Sequence, residues 1–263
     1  MLRSSLFLIL FSLPLFADLR VYPTRLTLSD TKRVGDVSLR HTGTQPARYK
    51  ISTVFYRMKE DGSMELSKSP QKEDRSAIDL IRFSPRQVTL PPNLEQVIRV
   101  MYSGPKDLAQ GEYRAHLLFE PMDEPELEPK AKGEQVQMRL QAKVAIAVPV
   151  IFKQGKVEFT AKLSNLKLVK LPDGQPGYSV DLTGEGNGFP YGDVLAFFTP
   201  AGKTKQSLGI VRSVASYLKK RKISYPFTVP ENTKIANGKL TLEYRDTEED
   251  GGKVLASTET QVP

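Results

Sequence analysis

The sequence predicts an all-β chain folded as two β-sandwiches, on three observations. Short apolar alternations recur along the chain with turn signals between them, no stretch carries a convincing amphipathic helical period, and the strand pattern restarts after a short polar break at Lys153-Gln154-Gly155-Lys156. Side chains of a strand point alternately to opposite faces, so each alternating run buries one face in a core. Seven or eight such runs on each side of the break describe a sandwich.

The elements follow in order. The first seventeen residues read as a secretory signal, with Arg3 in a short start, an apolar core from Leu6 to Phe16 broken by Pro14, and the small Ala17 at the cleavage point. That core is too short to span a bilayer, and nothing after it is long and apolar enough, so an exported, soluble chain is expected. Strands are then expected over Leu19–Leu28, Arg33–His41, Ala47–Arg57, Ile78–Ser84, Arg86–Leu90, Gln96–Tyr102, Glu112–Glu120 and Glu134–Phe152. Thr42-Gly43-Thr44, Asp61-Gly62, Pro91-Pro92-Asn93 and Gly104-Pro105 mark turns between them. This places a first domain at 18–152, a hinge at 153–156 and a second domain at 157–263. The second is built from runs at Val157–Leu163, Leu166–Leu171, Tyr178–Thr183, Gly192–Phe198, Ser207–Val211, Lys222–Thr228, Lys239–Tyr244 and Val254–Thr260, with Pro172-Asp173-Gly174 as a hairpin connector.

Composition narrows the chemistry. The chain has no cysteine, so stability must come from core burial. Its formal charge of +8 is a mild excess, and the one tight basic run, Lys219-Lys220-Arg221-Lys222, is expected on a solvated loop or edge. Two histidines, His41 and His116, lie in different strands and each is expected to be a surface or partly buried strand histidine and not a ligand, so no metal site is predicted. There is no nucleophile elbow and no phosphate-binding loop, and Gly184-Glu185-Gly186-Asn187-Gly188 has no helix after it, which makes it a wide turn between strands. The acidic clusters, such as Asp123, Glu124, Glu126 and Glu128, fall in an expected loop without an aromatic platform, and tryptophan is absent. Neither catalysis nor a cofactor is expected, and neither nucleic acid nor a small-molecule substrate is expected as a partner.

The run from Glu134 to Phe152 stands out. Val136, Met138, Leu140, Ala142, Val144, Ile146 and Val148 are apolar, while Gln135, Gln137, Arg139, Gln141 and Lys143 are polar. As one strand it would extend on the order of 60 Å at ~3.3 Å per residue, well beyond an average strand; the alternative is two strands joined by a bulge near Lys143. Such a strand can build its own domain and also present an apolar stripe to another protein.

Val21-Tyr22-Pro23-Thr24-Arg25, Phe83-Ser84-Pro85-Arg86-Gln87-Val88-Thr89-Leu90, Gln96-Val97-Ile98-Arg99-Val100, Gly111-Glu112-Tyr113-Arg114 and Val148-Pro149-Val150, in that order, resemble the periplasmic pilus chaperones of the PapD-like family. In the second half only Gly186-Asn187-Gly188 and Tyr191-Gly192 echo it. The resemblance implies two immunoglobulin-like domains set as an L with a cleft between them, a periplasmic location, and pilus or fimbrial subunits as clients, which lack a last strand and are handed on to an outer-membrane usher. It implies donor-strand complementation, with Val136, Met138 and Leu140 as donor-strand residues in the client groove and Arg25 as anchor for the client's terminal carboxylate. Three buried side chains contribute on the order of 5–9 kcal/mol, against about 4–15 kcal/mol for lost rigid-body freedom, so backbone pairing and an anchor must add to them. The family's second anchor, a lysine late on the closing strand, aligns with Ala145 here, and Lys143, two residues earlier on the same face, is the candidate substitute. The rival readings are a secreted two-domain adhesive or structural module, which would bury the long strand, and a sugar-active enzyme, which would need two facing carboxylates in a groove.

Overall fold

In the computed structural model, described for residues 19–122, 144–228, 235–247 and 251–263, the chain is all β with no α-helix among the described residues. The first half opens with β1 (Leu19–Tyr22), β2 (Leu26–Ser29), β3 (Val34–His41), β4 (Ala47–Met58) and β5 (Met64–Ser67). It continues with β6 (Ile81–Ser84), β7 (Gln87–Leu90), β8 (Glu95–Tyr102), β9 (Gly111–Pro121) and β10 (Ile146–Gln154). One sheet runs β1-β3-β8-β6, and the facing sheet runs β2-β10-β9-β4-β5 with β7 also on β4. All pairings are antiparallel except β2 with β10, which are parallel.

Period-two burial builds the core between these sheets. Val37 and Leu39, Ile98 and Val100, Ala115, Leu117 and Phe119, and Val148, Val150 and Phe152 all meet in one cluster. The Tyr102 and Phe152 rings stack across it, 3.6 Å apart and 4° from parallel.

The second half contains β11 (Phe159–Lys170), β12 (Pro176–Gly186), β13 (Tyr191–Pro200), β14 (Gln206–Ala215), β15 (Lys220–Pro226), β16 (Gly238–Arg245) and β17 (Val254–Val262). Its sheets run β11-β12-β15 and β14-β13-β16-β17. A separate core forms from Tyr178, Val180 and Leu182, from Val194, Ala196 and Phe198, and from Leu240, Leu242 and Tyr244. The molecule is thus a pair of β-sandwiches, each with its own apolar interior.

Several expected boundaries move. The run Leu19–Leu28 is two strands in different sheets, because Pro23 has no N–H for a ladder and the chain crosses between sheets there. A second crossing occurs at Pro85, between β6 and β7. Residues Ile78–Leu80 form a 3-10 turn before β6. The runs Val157–Leu163 and Leu166–Leu171 fall largely on one strand, β11, bulged between Ser164 and Lys167, where Asn165 takes a positive φ of 57°. Short, exposed β5 was not expected.

The long closing strand is described only from Val144. It begins at Ile146, opposite Phe119, so Val144 falls opposite Pro121, which has no N–H to donate. Val136, Met138, Leu140 and Lys143, like the signal segment, lie outside the described residues.

Candidate functional site

The site is assembled around β9, which is buried along nearly its whole length. Tyr113, Ala115, Leu117 and Phe119 face the first core. Alternation turns Glu112, Arg114 and His116 to the opposite face, where a lone sheet would meet water. Yet they are only 2%, 2% and 4% exposed, because the second sandwich covers them.

Arg25 sits in the crossing between β1 and β2 and bridges the two halves. Its Nη2 donates to Glu112 Oε1 at 3.2 Å and its Nη1 to the Tyr217 hydroxyl at 2.9 Å. The guanidinium also lies over the Tyr191 ring, 4.1 Å from the centroid. The Glu112 Oε2 accepts from the Phe189 N–H at 3.4 Å. Beside it, the turn between β12 and β13 docks on the start of β9, the Asn187 carbonyl accepting from the Glu112 N–H at 2.8 Å. The Asn187 side chain fixes that turn, accepting from Glu158 N–H and donating to the Lys156 carbonyl. Arg25 therefore lies between the halves as an already partnered cation.

A second cation, Arg114, is fully buried. Its Nη1 donates to the Tyr56 carbonyl at 2.8 Å and contacts His116 Nε2 at 3.4 Å, and its guanidinium lies 3.8 Å from the Tyr217 ring centroid. Burial pushes its pKa down to about 10, which leaves it charged at neutral pH. Because arginine only donates, the imidazole Nε2 must accept, so neutral His116 carries its proton on Nδ1. Burial first, then the Arg114 charge, push the His116 pKa down to about 3, against the opposing pull of the Val54 backbone.

Arg221 is the third. The basic run was expected to be solvated, but strand alternation on β15 sends Lys220 outward to Asp181 at 2.9 Å and turns Arg221 inward to 8% exposure. Its Nη1 donates to the Ala215 carbonyl. The β4–β5 hairpin covers it, with the Lys222 N–H donating to the Glu60 carbonyl at 2.9 Å. Gly62, at φ +85°, lies flat against this guanidinium, and a Cβ there would overlap it. Gly62→Ala is expected to cost about 1–3 kcal/mol through left-handed strain and to lift the hairpin. Hydrogen exchange at the Lys222 amide reads this directly, and unchanged protection would refute it.

Between the halves lies a cavity of about 380 Å³, with Tyr56, Met58 and His116 on one side and Val214, Tyr217 and Arg221 on the other. Ala147 and Pro149 of β10 also line it. Glu112, Arg114, His116 and Arg221 were not anticipated as site residues. Their one signal is the polar alternation on β9 and β15, which reads as solvent-facing unless a second body covers it. No group of three or more metal-ligating side chains occurs among the described residues.

β10 brings the last element. β2 pairs with it only from Val150 to Lys153, so among the described residues nothing pairs with the outer edge of Ile146–Pro149. Arg25 immediately precedes Leu26, the residue that closes this edge opposite Val150. The open edge therefore ends beside Arg25.

No protein-family model matches the sequence, and no curated protein matches it. Solved structures align with it along most of their length. The CsuC–CsuE chaperone–tip adhesion subunit pre-assembly complex of Acinetobacter baumannii aligns at 13% identity and a TM-score of 0.47, over 92% of this chain and 98% of that one. The Salmonella enterica SafB chaperone structure with SafA pilin aligns at 16% and 0.44, over 95% and 99%. The E. coli chaperone DraB aligns at 11% and 0.45, over 93% and 96%.

Proposed function

We propose that this chain is a periplasmic chaperone that holds pilus or fimbrial subunits by lending them a strand, and passes them to an outer-membrane usher. The half-open edge of β10 beside Arg25 carries this reading. A client strand added along Ile146–Pro149 continues the sheet and must stop where β2 begins. If it stops there with its C-terminus, it runs parallel to β10 and its carboxylate arrives at Arg25, whose N–H groups beyond those given to Glu112 and Tyr217 are the donors for it. Val136, Met138 and Leu140, upstream of the same edge, supply the apolar side chains for the client groove, with Lys143 as a second cation. Residues 18–152 form the client-holding domain, 153–156 the hinge and 157–263 the domain that closes the cleft. No catalytic step or cofactor enters this reading.

The test is capture of exported chains by the tagged protein from its source periplasm, comparing wild type with Arg25→Ala and Leu140→Glu. Small β-rich subunits should co-purify with wild type and drop at least tenfold in both variants, with Leu140→Glu keeping the wild-type unfolding midpoint. Equal capture by all three proteins would favour the adhesive-module reading.

A further inference from the structure

The β1-β3-β8-β6 sheet turns one face to its core and the other to solvent. Four apolar side chains stand exposed on the outer face: Tyr22, at 75%, with Val34, Val97 and Met101. Grouped apolar exposure marks a contact surface. The cations among them are all arginines, Arg20, Arg40, Arg82 and Arg99. Protein interfaces are enriched in arginine, tyrosine and methionine and depleted in lysine. The outward face of β15 has the opposite character, with Lys220 and Lys222.

The register decides what this face fits. Across the β3–β8 ladder Arg40 stands opposite Glu95, Ser38 opposite Val97, Asp36 opposite Arg99 and Val34 opposite Met101. Charge therefore alternates in both directions, cation then anion down β3 and anion then cation down β8. Arg99 donates to Asp36 at 3.2 Å, but both side chains remain largely exposed, and a pair this wet holds its partners weakly. Arg40 and Glu95 form no ion pair among the described residues.

A two-fold axis running along the strands, midway between β3 and β8, lays β3 of one copy over β8 of another at the same height. Arg40 then meets Glu95 of the other copy, Asp36 meets Arg99 and Val34 meets Met101, each contact occurring twice. Stacked sheets lie ~10 Å apart, which brings such side chains into touch. Tyr22, beside Ser38 on β1, extends the apolar row to the rim. Arg20 and Arg82 lie on the flanking strands, where solvent screens them. An anionic lipid surface would take the arginines but repel Asp36 and Glu95, so the pattern favours protein.

We propose that this face binds a second copy of the chain as a symmetric sheet-on-sheet dimer. The four strands offer on the order of 400 Å² of sheet per copy, at the low end for specific interfaces, so a dissociation constant on the order of 10 μM is expected. The face lies on the layer opposite β10, and the inference does not rest on client capture.

The experiment is sedimentation velocity of the purified protein over a concentration series, with the variants Asp36→Arg and Arg99→Asp. Wild type should pass from monomer to dimer. Each variant alone places like charges in register across the axis and should dimerise about tenfold more weakly or worse. Mixed in equal amounts, the two variants restore opposite charges at both places and should form a heterodimer as tight as the wild-type dimer. Thermal unfolding of each variant at the wild-type midpoint excludes loss of the fold as the cause. Wild type that stays monomeric, variants that dimerise like wild type, or a mixture that fails to pair would overturn the proposal.

Discussion

Arg25→Ala is expected to lower the unfolding free energy by about 3–5 kcal/mol, the usual cost of stranding one partner of a buried ion pair. The pair is dry, with side-chain exposures of 13% for Arg25 and 3% for Glu112. Removing the guanidinium leaves the Glu112 carboxylate with Phe189 N–H as its remaining hydrogen-bond donor. It also removes the contacts to Tyr217 and Tyr191 that hold the second sandwich. Urea titration measures the loss, and the double variant Arg25→Met/Glu112→Leu should recover most of it, because no buried charge is then left unpaired. A cost below about 1 kcal/mol, or no recovery in the double variant, would show that the pair is solvated.

Acid should weaken the fold through His116. In the unfolded chain this imidazole titrates near 6.5, whereas in the folded chain its pKa is pushed down to about 3. Between those values the unfolded state binds a proton that the folded state refuses, so stability falls as pH falls through this window and is fully retained above it. The slope from this one group approaches about 1.4 kcal/mol per pH unit, or about 2–3 kcal/mol between pH 6.5 and 4.5. Carboxylates also titrate in that range, so the readout is the difference between wild type and His116→Gln in urea midpoints at the two pH values. The variant curve should be flatter by this amount. Parallel curves would mean that His116 is reached by water and takes up its proton in the folded state.

Strand content was legible because alternation and turn residues are local. Val37 and Leu39, or Ile98 and Val100, sit in the core where their spacing puts them. Sheet membership was less legible. Alternation runs unbroken through Val21 and Leu26 on either side of Pro23, yet which ladder accepts each half depends on partners far away in sequence. Of the residues gathered here, only Arg25 was singled out from the sequence, through a family-like motif on the first strand. Glu112, Arg114, His116 and Arg221 obey the same period as any half-exposed strand, and their burial comes from a second sandwich that local patterning does not report. The same limit explains why Lys219–Lys222 read as solvated. Three members of that run are lysines, and only strand geometry separates Arg221 from them.

The crossings at Pro23 and Pro85 have a mechanical consequence. Each is a covalent segment that contributes one strand to either layer of the first sandwich, β1 and β2 in one case and β6 and β7 in the other. Shear that slides one layer over the other must therefore strip ladder hydrogen bonds at both places together, so the layers move as one block. Arg25 is carried on the first of these ties, four residues past Val21 and directly before Leu26. Its position is thus set by two ladders at once, and thermal sliding of either layer alone cannot carry it away from the end of the β10 edge.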